Sequence, residues 1–240
     1  MAISWFCFFH HDDRERSLSA AEHQALVAML RGCPNLIEGY IHTCSSGSLP
    51  KSAESVRPTL ALELEFATVV DCEINLRDNA YLLRLADPYF LPSLSGAEAS
   101  QQGMLGRHFP VANPGDPNAE GSMCTFLVHY PGPAEDEQAW HHNYLESHAW
   151  IMRKFPRIRA AAVYTPAVIV SRLPFRIATA MQRNKVVFDS AAALSEALAS
   201  PVREEMRADM AKFPPYAGGS GHVPMDTVVV SGSGGKPTVR

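Results

Sequence analysis

The sequence lacks the short motifs that mark the common cofactor-dependent and nucleophilic enzymes. Its 240 residues contain no Gly-x-Ser-x-Gly nucleophile elbow, no Rossmann glycine fingerprint and no His-Glu-x-x-His zinc motif. The five cysteines include no Cys-x-x-Cys pair, and their odd number favours free thiols in a reducing cytoplasm over a disulfide framework. If the protein is an enzyme, we therefore expect it to work without an organic cofactor, by proton transfer through His, Tyr and Glu side chains.

An excess of one charge and long hydrophobic runs are also missing. Lys and Arg together number 21 against 25 Asp and Glu, the formal net charge is −4, and no basic run occurs. This pattern lacks the electrostatic surface of a nucleic-acid-binding protein. The longest apolar runs are far shorter than the roughly 18 residues that a membrane span needs. The apolar residues 1–9 have no basic flank, so we predict a strand and a cytoplasmic protein rather than a signal peptide.

The most informative feature that is present is an internal repeat. Residues 152–159 repeat the pattern of residues 30–37, in which a helix ends at a proline and a strand follows. The strand pattern at residues 4–11 likewise matches that of residues 123–130. Such a duplication constrains the fold more strongly than any single motif, and it identifies side chains that occupy equivalent places in the two halves.

Each half is predicted to fold as a βαββαβ unit. In the first half, hydrophobic periodicity predicts strands at residues 3–10, 36–43, 59–67 and 103–111 and helices at residues 19–32 and 71–85. In the second half it predicts strands at residues 124–130, 158–165, 183–188 and 223–231 and helices at residues 135–155, 190–198 and 201–212.

The predicted fold class is therefore α+β, with two fused ferredoxin-like repeats. Residues 1–112 form the first repeat, 113–122 a linker, 123–231 the second repeat and 232–240 a disordered tail. Each four-stranded sheet has helices on one face only. Pairing the two sheets face to face covers the remaining faces within one chain.

The predicted helix at residues 135–155 contains the first candidate site. Trp140, Tyr144 and His148 share one stripe with core residues at helical spacing, and His141 lies on its flank. A histidine on such a stripe is more often a hydrogen-bonded core residue than a catalyst. Two polar rings one turn apart nevertheless favour a polar pocket between helix and sheet, where burial shifts the pKa of a histidine.

Strand residues supply a second group of candidates. The repeat aligns His10 with His129 at the ends of the first strands, and His42 with Tyr164 in the second strands. Side chains at strand ends that open into loops are common functional groups, although solvated strand ends give the same pattern. No metal site is predicted, because His10 and His11 are adjacent in a strand and point to opposite faces.

Charged residues on neighbouring strands extend this group. Glu63 and Glu65 share one strand face, where they either pair with His42 or cover the solvated side of an edge strand. Arg183 belongs to a polar block that enters a strand, and a guanidinium there suits a carboxylate or a phenolate. His222 begins the last strand, after a glycine-rich loop.

One set of residues in the second half forms a recognisable pattern. It comprises residues 126–130, Trp140, Tyr144, His148, residues 156–159, Tyr164, residues 187–190 and Pro201. This set resembles the EthD-like branch of the dimeric α+β barrel proteins, in which two ferredoxin-like units pair their sheets in a dimer or in one fused chain. The resemblance is better in residues 123–231 than in residues 3–112, where it is degenerate and Leu26 stands in the place of His148.

The resemblance implies a cofactor-independent lyase or isomerase that acts on a small hydroxylated aromatic compound in aromatic catabolism. His148 or His129 would remove a proton, and Tyr144 or Tyr164 would hydrogen-bond the developing oxyanion. Carbon–carbon cleavage that releases a small aldehyde, a proton-shift isomerisation and a cyclisation all fit this chemistry. The remaining site candidates are His42, Trp140, His141, Arg183, His222, Glu63, Glu65 and His10.

Relatives in the same superfamily leave two alternatives open. One is a cofactor-free monooxygenase or a haem-linked oxidase, in which His148 is the expected axial ligand. The other is a non-enzymatic protein that binds a small molecule. For this non-enzymatic protein, Trp150 on the outer face of the predicted helix is the expected contact of a homo-oligomer.

Overall fold

The computed structural model describes residues 2–44, 57–114 and 123–234. Most of the predicted linker at residues 113–122 and most of the predicted disordered tail at residues 232–240 lie outside the described residues. The described beginning of the tail is held by backbone hydrogen bonds. The amides of Gly232 and Gly234 donate to the carbonyls of Ile37 and Leu36 at 3.0 and 2.7 Å.

The described chain follows the predicted order of elements. The first half contains β1 (Ala2–His10), α1 (Ala20–Arg31), β2 (Leu36–Cys44), β3 (Leu60–Phe66), α2 (Val69–Glu73) and β4 (Glu98–Phe109). The second half contains β5 (Met123–Tyr130), α3 (Glu137–Asn143), α4 (Ala149–Met152), β6 (Ile158–Pro166), β7 (Arg176–Ile177), β8 (Gln182–Phe188), α5 (Ala191–Leu198), α6 (Val202–Met210) and β9 (Gly221–Ser231).

Eight strands close into one antiparallel barrel in the order β1-β3-β2-β9-β5-β8-β6-β4, and β4 pairs back onto β1. The two halves join through β2 with β9, where His42 lies opposite Thr227, and through β4 with β6, where Gly106 lies opposite Tyr164. The two predicted sheets therefore do cover each other, because their edge strands pair and close one barrel. No sheet edge of the barrel is left unpaired among these strands.

The composition of β1 shows why the barrel forms. Nearly every residue of this strand is buried, because its two faces serve two different cores. Trp5, Cys7 and Phe9 pack under the helical layer of the first half, and Phe6 and Phe8 fill the barrel interior. A strand covered on both faces needs a continuous apolar run rather than alternation.

The helix predicted at residues 71–85 is wrong. The structure has the short α2, a turn, and a 3-10 helix at Tyr81–Ala86. Asn79 adopts φ 57°, a left-handed conformation that a continuous right-handed helix over this segment does not allow. The side chain of Asn75 donates to the carbonyls of Pro34 and Asp71 at 2.9 Å and so fixes the turn.

The helix predicted at residues 135–155 is present with one interruption. Between α3 and α4 the chain makes a π-helical turn at Tyr144–His148. Both residues are buried under the helical layer, as the helical spacing predicted. Single π turns inside helices frequently mark functional sites, and this one contains both polar rings of the stripe.

Candidate functional site

A cavity of about 670 Å³ lies between the sheet and the helices of the second half. Its floor is the outward face of β5, β8 and β9, and its roof is the π turn together with α4, α5 and α6. Most of the lining is apolar and includes Phe126, Val128, Met152, Val186, Leu194 and Met206. A few polar groups converge within this apolar wall, which is the usual arrangement of a small-molecule site.

His148 enters this cavity from the π turn and is held by a carboxylate. Its Nδ1 lies 3.0 Å from Asp209 Oδ2, and Ser147 Oγ donates to both oxygens of Asp209 at 3.0 Å. Because a carboxylate only accepts hydrogen bonds, the His148 proton is assigned to Nδ1 and the lone pair to Nε2. Nε2 makes no hydrogen bond to any described residue.

Burial of the His148 ring favours its neutral form. Burial lowers the pKa of His148, and the hydrogen bond and charge of Asp209 oppose that shift. The two side chains are buried together, so the carboxylate is not screened by solvent. A neutral imidazole with an oriented Nε2 lone pair is a competent general base.

Tyr144 lies one turn before His148 and ends a chain of hydrogen bonds. Its hydroxyl oxygen accepts from Asn184 Nδ2 at 2.7 Å and lies 3.4 Å from the Tyr130 hydroxyl. Further out, Gln182 Nε2 donates to Asn184 Oδ1 at 3.1 Å, and His141 Nδ1 lies 3.2 Å from Gln182 Oε1.

The Tyr144 hydroxyl keeps its proton. Burial raises the pKa of Tyr144 well above its ordinary value, and the neighbouring Tyr130 raises it further. Since Asn184 occupies one lone pair of the oxygen as a donor, the Tyr144 proton is directed toward Tyr130 or into the cavity. Tyr144 can therefore donate to an oxygen of a bound molecule.

His222 is the third predicted residue in this cavity. It lines the wall from β9, with its ring 5.4 Å from that of Phe126. Burial lowers the pKa of His222, and a backbone hydrogen bond with Ser220 partly offsets the shift. His222 is thus a polar group on the floor whose neutral form is favoured by burial, on a different element from His148.

His10, His129 and Arg183 lie in a second cavity, inside the mouth of the barrel. This cavity has a volume of about 340 Å³. The His129 ring packs on the backbone of Gly221, where an added Cβ would approach ring atom Cε1 to 1.9 Å. Burial lowers the pKa of His129 to about 4, and the positive charge of Arg183 contributes to this shift.

Glu63, Tyr164 and His42 lie in the barrel interior, and none of them lines either cavity. Lys185 Nζ donates to Glu63 Oε1 at 3.0 Å and lies 2.9 Å from Oε2, and the Tyr164 hydroxyl donates to Glu63 Oε1 at 2.6 Å. The edge-strand interpretation of Glu63 is therefore wrong, because β3 lies between β1 and β2 and this face is enclosed by the barrel. Glu65 is partly buried on the same strand, 3.6 Å from His108.

Trp140 and His141 do not line either cavity. Trp140 is fully buried and packs against Phe213 and Tyr216 with ring centroids 4.9 and 4.4 Å away. It is a core residue behind the site rather than a substrate contact. His141 acts at the outer end of the hydrogen-bond chain to Tyr144.

Two residues at the site, Asp209 and Asn184, and one residue of the barrel interior, Lys185, were missed in the sequence. Asp209 lies on the apolar stripe of α6 with Val202 and Met206, and an acid on such a stripe is a usable signal. Asn184 and Lys185 sit next to Arg183 in a strand, where alternation places them on opposite faces of the sheet. Their partners are far away in sequence, so no local pattern identifies them.

The first half has no histidine at the corresponding position. Leu26 is fully buried in the core beneath α1, as the repeat predicted for the residue that replaces His148. In the described residues there is no group of His, Cys, Asp or Glu that could hold a metal ion. Nor does the described chain contain a helix that is long and apolar enough to cross a membrane.

The fold of this chain recurs in solved structures, although no family model and no curated protein matches its sequence. A proposed monooxygenase from Fusobacterium nucleatum subsp. nucleatum ATCC 25586 superposes with a TM-score of 0.58 at 7% identity, over 96% of this chain and 94% of that one. An anthrone oxidase-like protein gives a TM-score of 0.56 at 14% identity, over 99% and 95%. The chain has the fold of the dimeric α+β barrel proteins.

A further proposed monooxygenase, from Lactobacillus acidophilus NCFM, gives a TM-score of 0.55 at 9% identity over 96% of both chains. These matches extend over nearly the whole chain, so this dimeric α+β barrel is completed by two halves of one polypeptide. They confirm the fold class that the sequence pattern predicted. At such low identity they show the fold alone.

Proposed function

We propose that the 670 Å³ cavity is the active site of a cofactor-independent lyase or isomerase that acts on a small hydroxylated aromatic compound. The observation that supports this best is the combination, in one apolar cavity, of a neutral His148 anchored by Asp209 and a protonated Tyr144. The apolar wall suits an aromatic body. The two polar groups suit proton transfer coupled to stabilisation of an oxyanion.

In the cleavage reaction, Nε2 of His148 removes the proton of a substrate hydroxyl. The oxygen electron pair forms the carbonyl of a small aldehyde as the adjacent carbon–carbon bond breaks. The electron pair of that bond moves into a conjugated acceptor on the remaining aromatic fragment, and Tyr144 donates to the oxygen that takes up the charge. The proton on His148 then returns to carbon, so the reaction needs neither an oxidant nor a reductant.

An isomerisation or a cyclisation uses the same groups. His148 then removes a proton from an acidic C–H and returns it elsewhere on the molecule, while Tyr144 donates to the enolate or phenolate oxygen. Asp209 keeps the imidazole in the required tautomer in either case, and Asn184 keeps the Tyr144 hydroxyl in place. General-base catalysis of this kind contributes roughly 10²- to 10⁴-fold in rate.

A turnover screen tests the proposal. The purified protein is mixed with a panel of hydroxylated aromatic and diaryl compounds, with and without oxygen, and the products are analysed by mass spectrometry. We expect turnover without oxygen, with either loss of a small aldehyde or no change in mass. Binding without any turnover in either condition would contradict the proposal and favour a non-enzymatic binding protein.

A cofactor-free monooxygenase is the second candidate, and the names of the full-length structural neighbours favour it. In this reaction His148 deprotonates a phenol or an activated carbon, and the resulting carbanion reduces molecular oxygen, which is the co-substrate. The product then gains mass, and turnover stops when oxygen is removed. The screen described above therefore separates this candidate from the lyase or isomerase.

A haem-linked oxidase requires an axial ligand in an apolar cavity. His148 suits that position, since its Nδ1 is hydrogen-bonded to Asp209 and its Nε2 has no partner among the described residues. A bound haem would supply the redox chemistry, and His148 would then hold the group instead of accepting a substrate proton. A Soret band in the absorption spectrum of the purified protein tests this candidate.

We also propose a cytoplasmic location and a homo-oligomeric state. The five cysteines are free, and four of them are buried, which suits a reducing compartment. Trp150 is 45% exposed on the outer face of α4, packed edge-on against Phe109 and covered on one side by Arg153. Size-exclusion chromatography with light scattering, on wild type and Trp150→Glu, tests this residue as a subunit contact.

A further inference from the structure

The second cavity, in the mouth of the barrel, contains cationic and polar groups but no acidic lining residue. Its walls include Arg183, Arg176 and His129, together with the apolar rings of Phe6 and Phe8. No Asp or Glu is among the lining residues in the part of the chain that the structure describes. The cavity therefore has a positive potential at neutral pH, set by the two guanidinium groups.

Arg183 is the inner cation, and no described acidic residue pairs with it. Its Nε donates to Gln102 Oε1 at 3.2 Å, and its guanidinium carbon lies 4.3 Å from the centre of the Phe8 ring and 5.9 Å from that of Phe6. No ion pair and no second hydrogen bond to Arg183 occurs among the described residues. Burial lowers the pKa of Arg183 to about 10, so the group is still charged at pH 7.

The remaining donors of Arg183 are free to bind a ligand. With Nε bound to Gln102, Nη1 and Nη2 form a planar fork that matches a carboxylate. His129 adds a neutral imidazole next to this fork, because burial and the charge of Arg183 keep its pKa low. The ring is fixed against Gly221, so its position is set before any ligand arrives.

We propose that the mouth of the barrel is a second ligand site, which binds a small aromatic monocarboxylate. The carboxylate lies on the Arg183 fork, and the aromatic body packs between Phe8, Leu127 and Val223. A volume of about 340 Å³ suits a single-ring ligand, about half the size that the first cavity accommodates. Because Arg183 is the one inner arginine of this cavity, we expect the ligand to carry one carboxylate.

This site faces away from the proposed active site, although both cavities are lined in part by Val128, Asn184 and Ser220. The cavities open on opposite faces of β5 and β8, since Leu127 and His129 face the barrel and Phe126 and Tyr130 face the helices. Ligand binding in the barrel mouth does not depend on whether the first cavity catalyses any reaction. Binding and turnover can therefore be measured independently.

Isothermal titration of the full-length protein with benzoate tests the proposal, with benzamide as the neutral analogue of the same shape. We expect benzamide to bind at least about tenfold more weakly, since a charge-assisted pair is lost. Arg183→Met keeps the apolar contact with Phe8 but removes the charge, and it should weaken benzoate binding to the same extent. Arg107→Gln, a half-buried strand arginine bonded to Thr165 outside both cavities, should bind benzoate like wild type.

A measurement on the wild-type protein locates the ligand even if Arg183→Met does not fold. In amide NMR spectra, benzoate should shift the signals of Leu127, His129 and Gly221 and leave those of Ser195 and Met206 in place. Equal affinity for benzoate and benzamide, no binding of benzoate, or shifts confined to Ser195 and Met206 would each overturn the proposal.

Discussion

His42 makes the stability of the barrel depend on pH in a way that can be calculated. The side chain is completely buried, its Nδ1 lies 2.8 Å from Thr227 Oγ1, and its Nε2 has no hydrogen-bond partner among the described residues. Burial lowers the pKa of His42 from 6.5 to about 3, and the charge of Lys185 adds to the shift. The folded protein therefore keeps His42 neutral at pH values where the unfolded chain binds a proton.

The magnitude follows from the two pKa values of His42. Because the folded value lies below the unfolded one, the stability contributed by the neutral ring is complete above pH 6.5 and is lost as the pH falls toward 3. The loss amounts to about 1.4 kcal/mol per pH unit inside this window. At pH 5 the free energy of unfolding is therefore about 2 kcal/mol lower than at pH 7.5 through His42 alone.

Urea unfolding at pH 7.5 and at pH 5 tests this calculation on wild type and His42→Gln. Glutamine keeps a hydrogen bond to Thr227 within reach but does not titrate, so we expect the pH-dependent loss to be about 2 kcal/mol smaller in the variant. His142→Gln, an exposed position on α3, should lose as much stability as wild type. Equal losses in wild type and His42→Gln would refute the assignment of a neutral buried ring.

Three further substitutions test other parts of the account. Glu63→Gln should lower the free energy of unfolding, measured in urea titrations, by about 3 to 5 kcal/mol, because it removes the carboxylate that pairs with buried Lys185. Adding Lys185→Met should recover most of that loss. Gly221→Ala should lower the free energy of unfolding by about 1 to 3 kcal/mol, because the added Cβ collides with the His129 ring. Adding His129→Ala should restore that stability, and a double variant as unstable as Gly221→Ala would argue against the observed packing. Asp209→Asn removes the group that raises the pKa of His148, the proposed general base. In the turnover assay kcat should therefore fall about 10²- to 10⁴-fold, and the acid limb of the pH–rate profile should move to lower pH; a limb that moves upward would contradict this.

The architecture could be predicted because the same local sequence patterns occur in both halves of the chain. The proline-terminated helices at Leu30 and Met152 and the buried strands that flank them repeat at matching positions, so two equivalent units follow without knowledge of any contact. These patterns do not predict that the strands of the two halves pair and close a barrel. Strand β3 alternates like a half-solvated strand, and only its pairing on both edges shows that Glu63 is enclosed.

The candidate site was predictable only in part, for a similar reason. Tyr144 and His148 follow from the spacing along one helix, and the structure places both in one cavity. Asp209 lies 61 residues after His148, so its role depends on how α6 packs against the π turn. His129 was an equal candidate for the base in the sequence, and only the structure shows that it faces the barrel, on the other side of the sheet from His148.

The separation of these two histidines makes the central claim directly testable. The measurement is anaerobic turnover of the aromatic panel by wild type, His148→Gln and His129→Gln, with the exposed His142→Gln as the matched control on the same helical stretch. We predict turnover by wild type, His129→Gln and His142→Gln without oxygen, and a loss of roughly 10²- to 10⁴-fold in His148→Gln alone. Turnover by His148→Gln at the wild-type rate, or a strict requirement for oxygen in every active variant, would contradict the account.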